Sequence, residues 1–113
     1  MKDLKVVAKA DNGKSAVEIY KKFKPDVVLL DVIMPGYDGF YALENIRRIN
    51  PDAKIIFVTA ASSGPTQTRL FSYDASAIIF KPFEMDHLIK VIEDVKNGKK
   101  VIPRDVRSIR RQS

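Results

Sequence analysis

The stretch Pro25-Asp26-Val27-Val28-Leu29-Leu30-Asp31 constrains the fold more than any other. Four consecutive apolar residues, Val27 to Leu30, end in the carboxylate of Asp31, and the turn-forming Pro35-Gly36 follows closely. A short run that is apolar at every position reads as a strand buried on both faces of a parallel sheet. In open parallel sheets, ligand and catalytic groups gather at the carboxyl ends of the strands. Asp31 is therefore a site candidate, and a helix N-cap or Asx-turn carboxylate is the equally weighted alternative.

The rest of the chain supplies the partners that such a strand needs. Leu4 to Ala10 is a first strand, closed by the turn residues Asp11-Asn12-Gly13. Ser15 to Phe23 is an amphipathic helix with Ala16, Val17, Ile19, Tyr20 and Phe23 on or near one face, stopped by Lys24-Pro25-Asp26. A second helix runs from Phe40 to Ile49, with Leu43, Ile46 and Phe40 inward, and Asn50-Pro51-Asp52 ends it. Lys54 to Val58 is the next strand, followed by a weaker helix over Thr66–Tyr73 with Pro65 at its first turn. Ala77 to Phe80 is the last strand. Glu84 to Lys96 is a strong helix with Leu88, Ile89, Ile92 and Val95 in its stripe and Asn97-Gly98 as C-cap. Four strands alternating with four helices over short loops imply right-handed crossovers and a parallel α/β sheet.

A length of 113 residues suits one core. With no cysteine and a single histidine, His87, disulfides, thiolate metal sites and multi-histidine sites are excluded. No apolar run approaches a membrane span and the N-terminus does not open a signal peptide, so a cytoplasmic location without a membrane partner is expected. The net charge of +6 is not spread evenly. Residues 96–113 carry seven basic groups against Asp105 and account for the whole excess, whereas the first 95 residues are balanced.

Asp31, Thr59 and Lys81 each end a different strand, so a parallel sheet brings a carboxylate, a hydroxyl and an ammonium to one edge. Taken singly, a cap and an exposed strand-end lysine explain Thr59 and Lys81. Together the three suit phosphoryl transfer, with the carboxylate as nucleophile and the other two groups holding phosphoryl oxygens. A flavin-binding module of similar topology lacks support, because no phosphate-cradling Gly/Ser/Thr loop follows the first strand.

The segments Lys24-Pro25-Asp26-Val27-Val28-Leu29-Leu30-Asp31, Met34-Pro35-Gly36-Tyr37-Asp38-Gly39, Val58-Thr59-Ala60 and Lys81-Pro82-Phe83, in this order and spacing, resemble the receiver domain of two-component response regulators. The resemblance covers roughly residues 4–97, leaving 98–113 as a basic tail or linker stump. It implies a flavodoxin-like fold and a signalling phosphoacceptor rather than an enzyme with its own substrate. Asp31 would accept a phosphoryl group from a histidine kinase or a small phosphodonor. Thr59 would be the switch hydroxyl, and Lys81 the lysine on the phosphoryl oxygens, with a cis peptide before Pro82. The carbonyl of Ile33 would be a ligand for Mg²⁺.

Against that pattern, the family's first strand and first helix are missing, and with them the acidic pair that holds Mg²⁺. Because Mg²⁺ demands near-octahedral oxygen ligation, weak binding is expected. The simplest repair is a four-stranded sheet in sequential order, with the strand at 4–10 pairing directly with Val27–Leu30. Asp11 would then lie near Asp31 as a substitute metal ligand; otherwise it simply closes a turn. Loss of the helix leaves one sheet face covered only by the last helix, from which a symmetric homodimer is expected. Ile78 stands where receivers often carry a switch aromatic, and Asp74 where a glycine is usual.

Two functions follow: a phosphorelay receiver acting through Asp31, or a degenerate receiver acting by protein association without phosphate. For the tail, a linker to a DNA-binding output domain, a nucleic-acid-binding basic arm and a solvated end all compete, and base rates favour the last. It has no aromatic interleaving and no recognised nucleic-acid-binding fold.

Overall fold

The computed structural model describes residues 13–31, 39–60 and 64–102. Their elements alternate: α1 (Gly13–Phe23), β1 (Val28–Leu30), α2 (Gly39–Ile49), β2 (Ile55–Thr59), α3 (Gly64–Ser72), β3 (Ala77–Phe80) and α4 (Met85–Lys96). The three described strands are parallel and lie in the order β1-β2-β3. Val28 is opposite Ile55, and Leu30 is opposite Phe57. Thr59 is opposite Phe80. The expected first strand at 4–10, and its pairing with residues 27–30, lie outside the described residues.

The sheet separates two apolar layers, as right-handed crossovers require. On one side Val28, Leu30, Ile55, Phe57 and Ile78 meet Ala16, Val17 and Tyr20 of α1, Phe40, Leu43 and Ile46 of α2, and Leu70 of α3. On the other side Val27, Ile56, Ala77 and Ile79 meet Leu88, Val91, Ile92 and Val95 of α4. One face thus takes three helices and the other takes one. Ile55, Ile56 and Phe57 are all fully buried, and each such side chain contributes about 1.5–3 kcal/mol.

The helix ends follow local chemistry. Lys24 takes the left-handed conformation, φ 44°, and its amide donates to the Tyr20 carbonyl to close α1. Asn50 closes α2: its Oδ1 accepts from the Asp52 amide, and its side-chain amide donates to the Tyr20 hydroxyl. After α4, Gly98 at φ 90° donates to Val95 and Lys99 donates to Asp94, the paired bonds of a Schellman cap.

Two inward assignments need correction. Phe23 is 61% exposed, because Tyr20 already lies against Asn50, just past the end of α2. One turn further on, Phe23 has overshot that partner helix. Ile89 is 38% exposed and Val91 is buried instead, because the stripe facing the sheet is Leu88, Val91, Ile92 and Val95. The sequence also does not reveal that Val101 bridges to Ala77 on the outer edge of β3. Its amide donates to the Ser76 carbonyl, and its carbonyl accepts from the Ile78 amide.

Candidate functional site

The carboxyl edge of the sheet is set by where the apolar runs stop. Asp31 follows β1 directly, Thr59 is the last residue of β2, and Lys81 follows β3 directly. Pairing of Leu30 with Phe57 and of Thr59 with Phe80 puts the three ends within two residue levels of one another.

β1 and β3 flank β2 and are therefore about 10 Å apart. The lysine stem spans that gap, and Lys81 Nζ lies 3.1 Å from Asp31 Oδ2. The side chains of Lys81 and Asp31 are 45% and 37% exposed, so the pair contributes only about 0–1 kcal/mol to stability. An accessible carboxylate beside a cation is a chemical arrangement more than a structural one. Thr59, in the intervening strand, is completely buried, and its carbonyl accepts from the Lys81 amide at 2.9 Å. The Lys81–Pro82 peptide is cis.

Asp11 and Ile33, the other expected metal ligands, lie outside the described residues. Among the described residues no three His, Cys, Asp or Glu side chains cluster as a metal site. Asp31 alone does not make an octahedral oxygen set.

A second feature of this half of the molecule is an aromatic cluster around the inward-facing Phe40. Phe40, at the start of α2, meets Phe57 edge-on at 5.5 Å and stacks on Tyr73 at 4.6 Å. The Arg69 guanidinium sits 4.1 Å above the Phe40 ring. Tyr73 is thus a packing residue between α2 and the end of α3. Ile78, in the place of the usual aromatic, is buried in the same layer.

The chain is thus a parallel α/β domain with a carboxylate and a lysine in contact at the carboxyl edge of its sheet, where such folds carry their functional groups. Residues 1–93 match the family described as the response regulator receiver domain. The chain belongs to that family. It is 38% identical over 91 residues to the chemotaxis protein CheY of Listeria monocytogenes, covering 80% of this chain and 76% of that one. It is 35% identical over 99 residues to the response regulator GacA of Pseudomonas aeruginosa, covering 88% of this chain and 46% of that one. The chain therefore spans about half the length of GacA. Among solved structures, a LuxR-family two-component response regulator from Aurantimonas superposes with a TM-score of 0.78 at 26% identity, over 94% of this chain and 76% of the other. A LuxR-family DNA-binding response regulator from Staphylococcus aureus gives 0.70 at 31%, over 77% and 72%. Receiver domains are signalling modules of two-component systems that generally bind Mg²⁺ and exchange phosphoryl groups with histidine kinases or phosphodonors. No helix among the described residues is long and apolar enough to cross a membrane.

Proposed function

We propose that this chain is a phosphorelay receiver in which Asp31 is the phosphoacceptor. The observation that carries the reading is the 3.1 Å approach of the Lys81 ammonium to the Asp31 carboxylate at the carboxyl edge of the sheet. An Asp31 oxygen attacks the phosphorus of a phosphohistidine or a small phosphodonor. The bond from phosphorus to the donor atom breaks as the acyl phosphate forms. Lys81 then holds the added oxygens, where negative charge accumulates, and the Thr59 hydroxyl is the neighbouring group that follows the phosphoryl group.

Mg²⁺, when bound, offsets the charge of the phosphoryl oxygens. Among the described residues Asp31 would hold it, and Lys81 supplies positive charge at the same oxygens. Nucleic-acid contact by the basic tail rests on sequence charge alone, since Arg104 to Arg111 lie outside the described residues.

The apolar layer under α4 supports a symmetric homodimer. Leu29 and Val58 remain half-buried there while Val27, just before β1, and Ile56 in β2 are fully buried. Met85 and Ile89 are exposed along α4 itself.

Incubation with Mg²⁺ and a small phosphodonor, followed by intact mass measurement, tests the reading. One phosphoryl adduct is expected in the wild type and none in Asp31→Asn. Absence of an adduct from the wild type, or its persistence in the variant, would overturn the assignment and leave the phosphate-independent association module as the reading.

A further inference from the structure

The sheet edge opposite Asp31 has a different character. With parallel strands, the carboxyl ends of α1, α2 and α4 and the amino ends of the strands all come to this one end of the molecule. A cleft of about 690 Å³ opens there, lined by Tyr20, Lys24, Asp26, Ile49, Lys54 and Lys96 among others. A smaller one of about 290 Å³ adjoins it and shares Asp52, Ala53 and Lys54.

Around the two clefts Lys24, Arg47, Lys54, Lys96, Lys99 and Lys100 outnumber Asp26, Asp52 and Asp74. Lys54 donates to the Lys96 carbonyl at 2.7 Å, and Arg47 donates to the Ala53 carbonyl at 2.9 Å. The hydrogen-bond partners of both are neutral carbonyls, and the Arg47 charge also acts on the Asp74 carboxylate. Lys100 is paired with Asp74, and Lys99 approaches Asp94 at 3.9 Å. Among the described residues, the ammonium of Lys24 and the guanidinium of Arg48 form no ion pair. Basic groups in the last turns, Lys21 and Lys22 in α1 and Arg47 and Arg48 in α2, partly offset the helix dipoles. Lys21 is also paired with Glu18 at 3.7 Å.

Large apolar side chains stand exposed among these cations. Phe23 is 61% exposed and Ile49 is 41% exposed, at the ends of α1 and α2 respectively. The Lys22 ammonium lies 5.3 Å from the Phe23 ring. Tyr20 and Asn50 are joined by a hydrogen bond, so these two helix ends are neighbours. Ile102, 40% exposed, follows the Val101 bridge at the start of β3.

We infer that this end of the molecule is a docking surface for an anionic lipid bilayer. Cations attract acidic headgroups over about a Debye length, and Phe23 and Ile49 enter the headgroup boundary, where apolar side chains gain by leaving water. A nucleic-acid backbone would use the charge but gains nothing from an exposed isoleucine, so the combination favours lipid. No helix among the described residues is long and apolar enough to span the bilayer. The surface lies across the sheet from Asp31, so the inference is independent of phosphorylation.

Co-sedimentation of the full chain with phosphatidylcholine vesicles, alone and mixed in equal parts with phosphatidylglycerol, tests it. Binding to the anionic vesicles only is expected, weakening as salt is raised. The double variant Lys24→Glu/Arg48→Glu is expected to bind about tenfold or more weakly. Phe23→Ser/Ile49→Ser should also weaken binding about tenfold at unchanged charge. Both pairs are exposed, so circular dichroism should confirm native folding. Three results would overturn the proposal: no preference for anionic vesicles, wild-type binding by both variants (which would place any attraction in the tail), or vesicle binding displaced fully by equimolar duplex DNA with no effect of the serine pair.

Discussion

Asp31 and Lys81 are joined across β2 by one lysine side chain, so the site depends on a long, flexible stem rather than on neighbouring strands. Lys81→Ala removes the ammonium 3.1 Å from the carboxylate, and the expected cost is about 10²–10³-fold in the rate of phosphorylation by a small phosphodonor. The initial rate of adduct formation by mass spectrometry checks this, with little change in fold because the pair is exposed. The residue types of the site were legible because each of Asp31, Thr59 and Lys81 directly terminates an apolar run. The reach of Lys81 over β2 was not, since no sequence pattern states how far two strand ends are separated. Neither was the Arg69–Phe40–Tyr73 stack, which joins residues about thirty positions apart through packing alone.

The elements were legible wherever apolar period and a stop signal agreed. α2 ends at Asn50 because that side chain makes its own turn and ties α1 to α2. α4 ends at Asn97-Gly98 because Gly98 tolerates φ 90°. Gly98→Ala has open space for its Cβ, so only backbone strain counts. A loss of about 1 kcal/mol is expected from the urea midpoint. Phe40→Ala removes the ring that contacts Phe57, Tyr73 and Arg69 together. The expected loss is about 3–5 kcal/mol by the same measurement. The apolar stripes of α1 and α4 are narrower or shorter than the apolar residues in their sequences. Phe23 continues the stripe of α1 beyond the end of its partner, and Ile89 sits one step around α4 from the residues that meet the sheet. The Val101 bridge was invisible because a single cross-strand contact follows from where α4 ends, not from local pattern.

For the molecule as a whole, alternation of strand and helix was enough to assign three helices to one face of the sheet and α4 to the other. The half-buried Leu29 and Val58 and the exposed Met85 and Ile89 then predict self-association. Light scattering at micromolar concentration is expected to give a dimer, and Ile89→Asp to give a monomer. A second whole-molecule property is electrostatic. The Lys100 ammonium beside Asp74, chiefly through its hydrogen bond, holds that carboxyl below the usual carboxylate value. Because the folded value is lowered, the contribution is present above the unfolded value and is lost as pH falls through the folded one. Asp74→Asn is therefore expected to lower stability slightly at neutral pH, where the contribution is fully present, and to change nothing below the folded value, so that the acid limb followed by thermal melts is flatter.

Phosphorylation at Asp31 itself is the claim on which the functional account turns, and Asp26 and Asp38 lie close enough in sequence to compete for it. Reduction of the phosphorylated protein with borohydride converts an acyl-phosphate aspartate to homoserine, and peptide sequencing by mass spectrometry then locates the change. The account predicts homoserine at position 31, dependent on the phosphodonor and on Lys81. Homoserine at position 26 or 38, or none after full exposure to the donor, would contradict it.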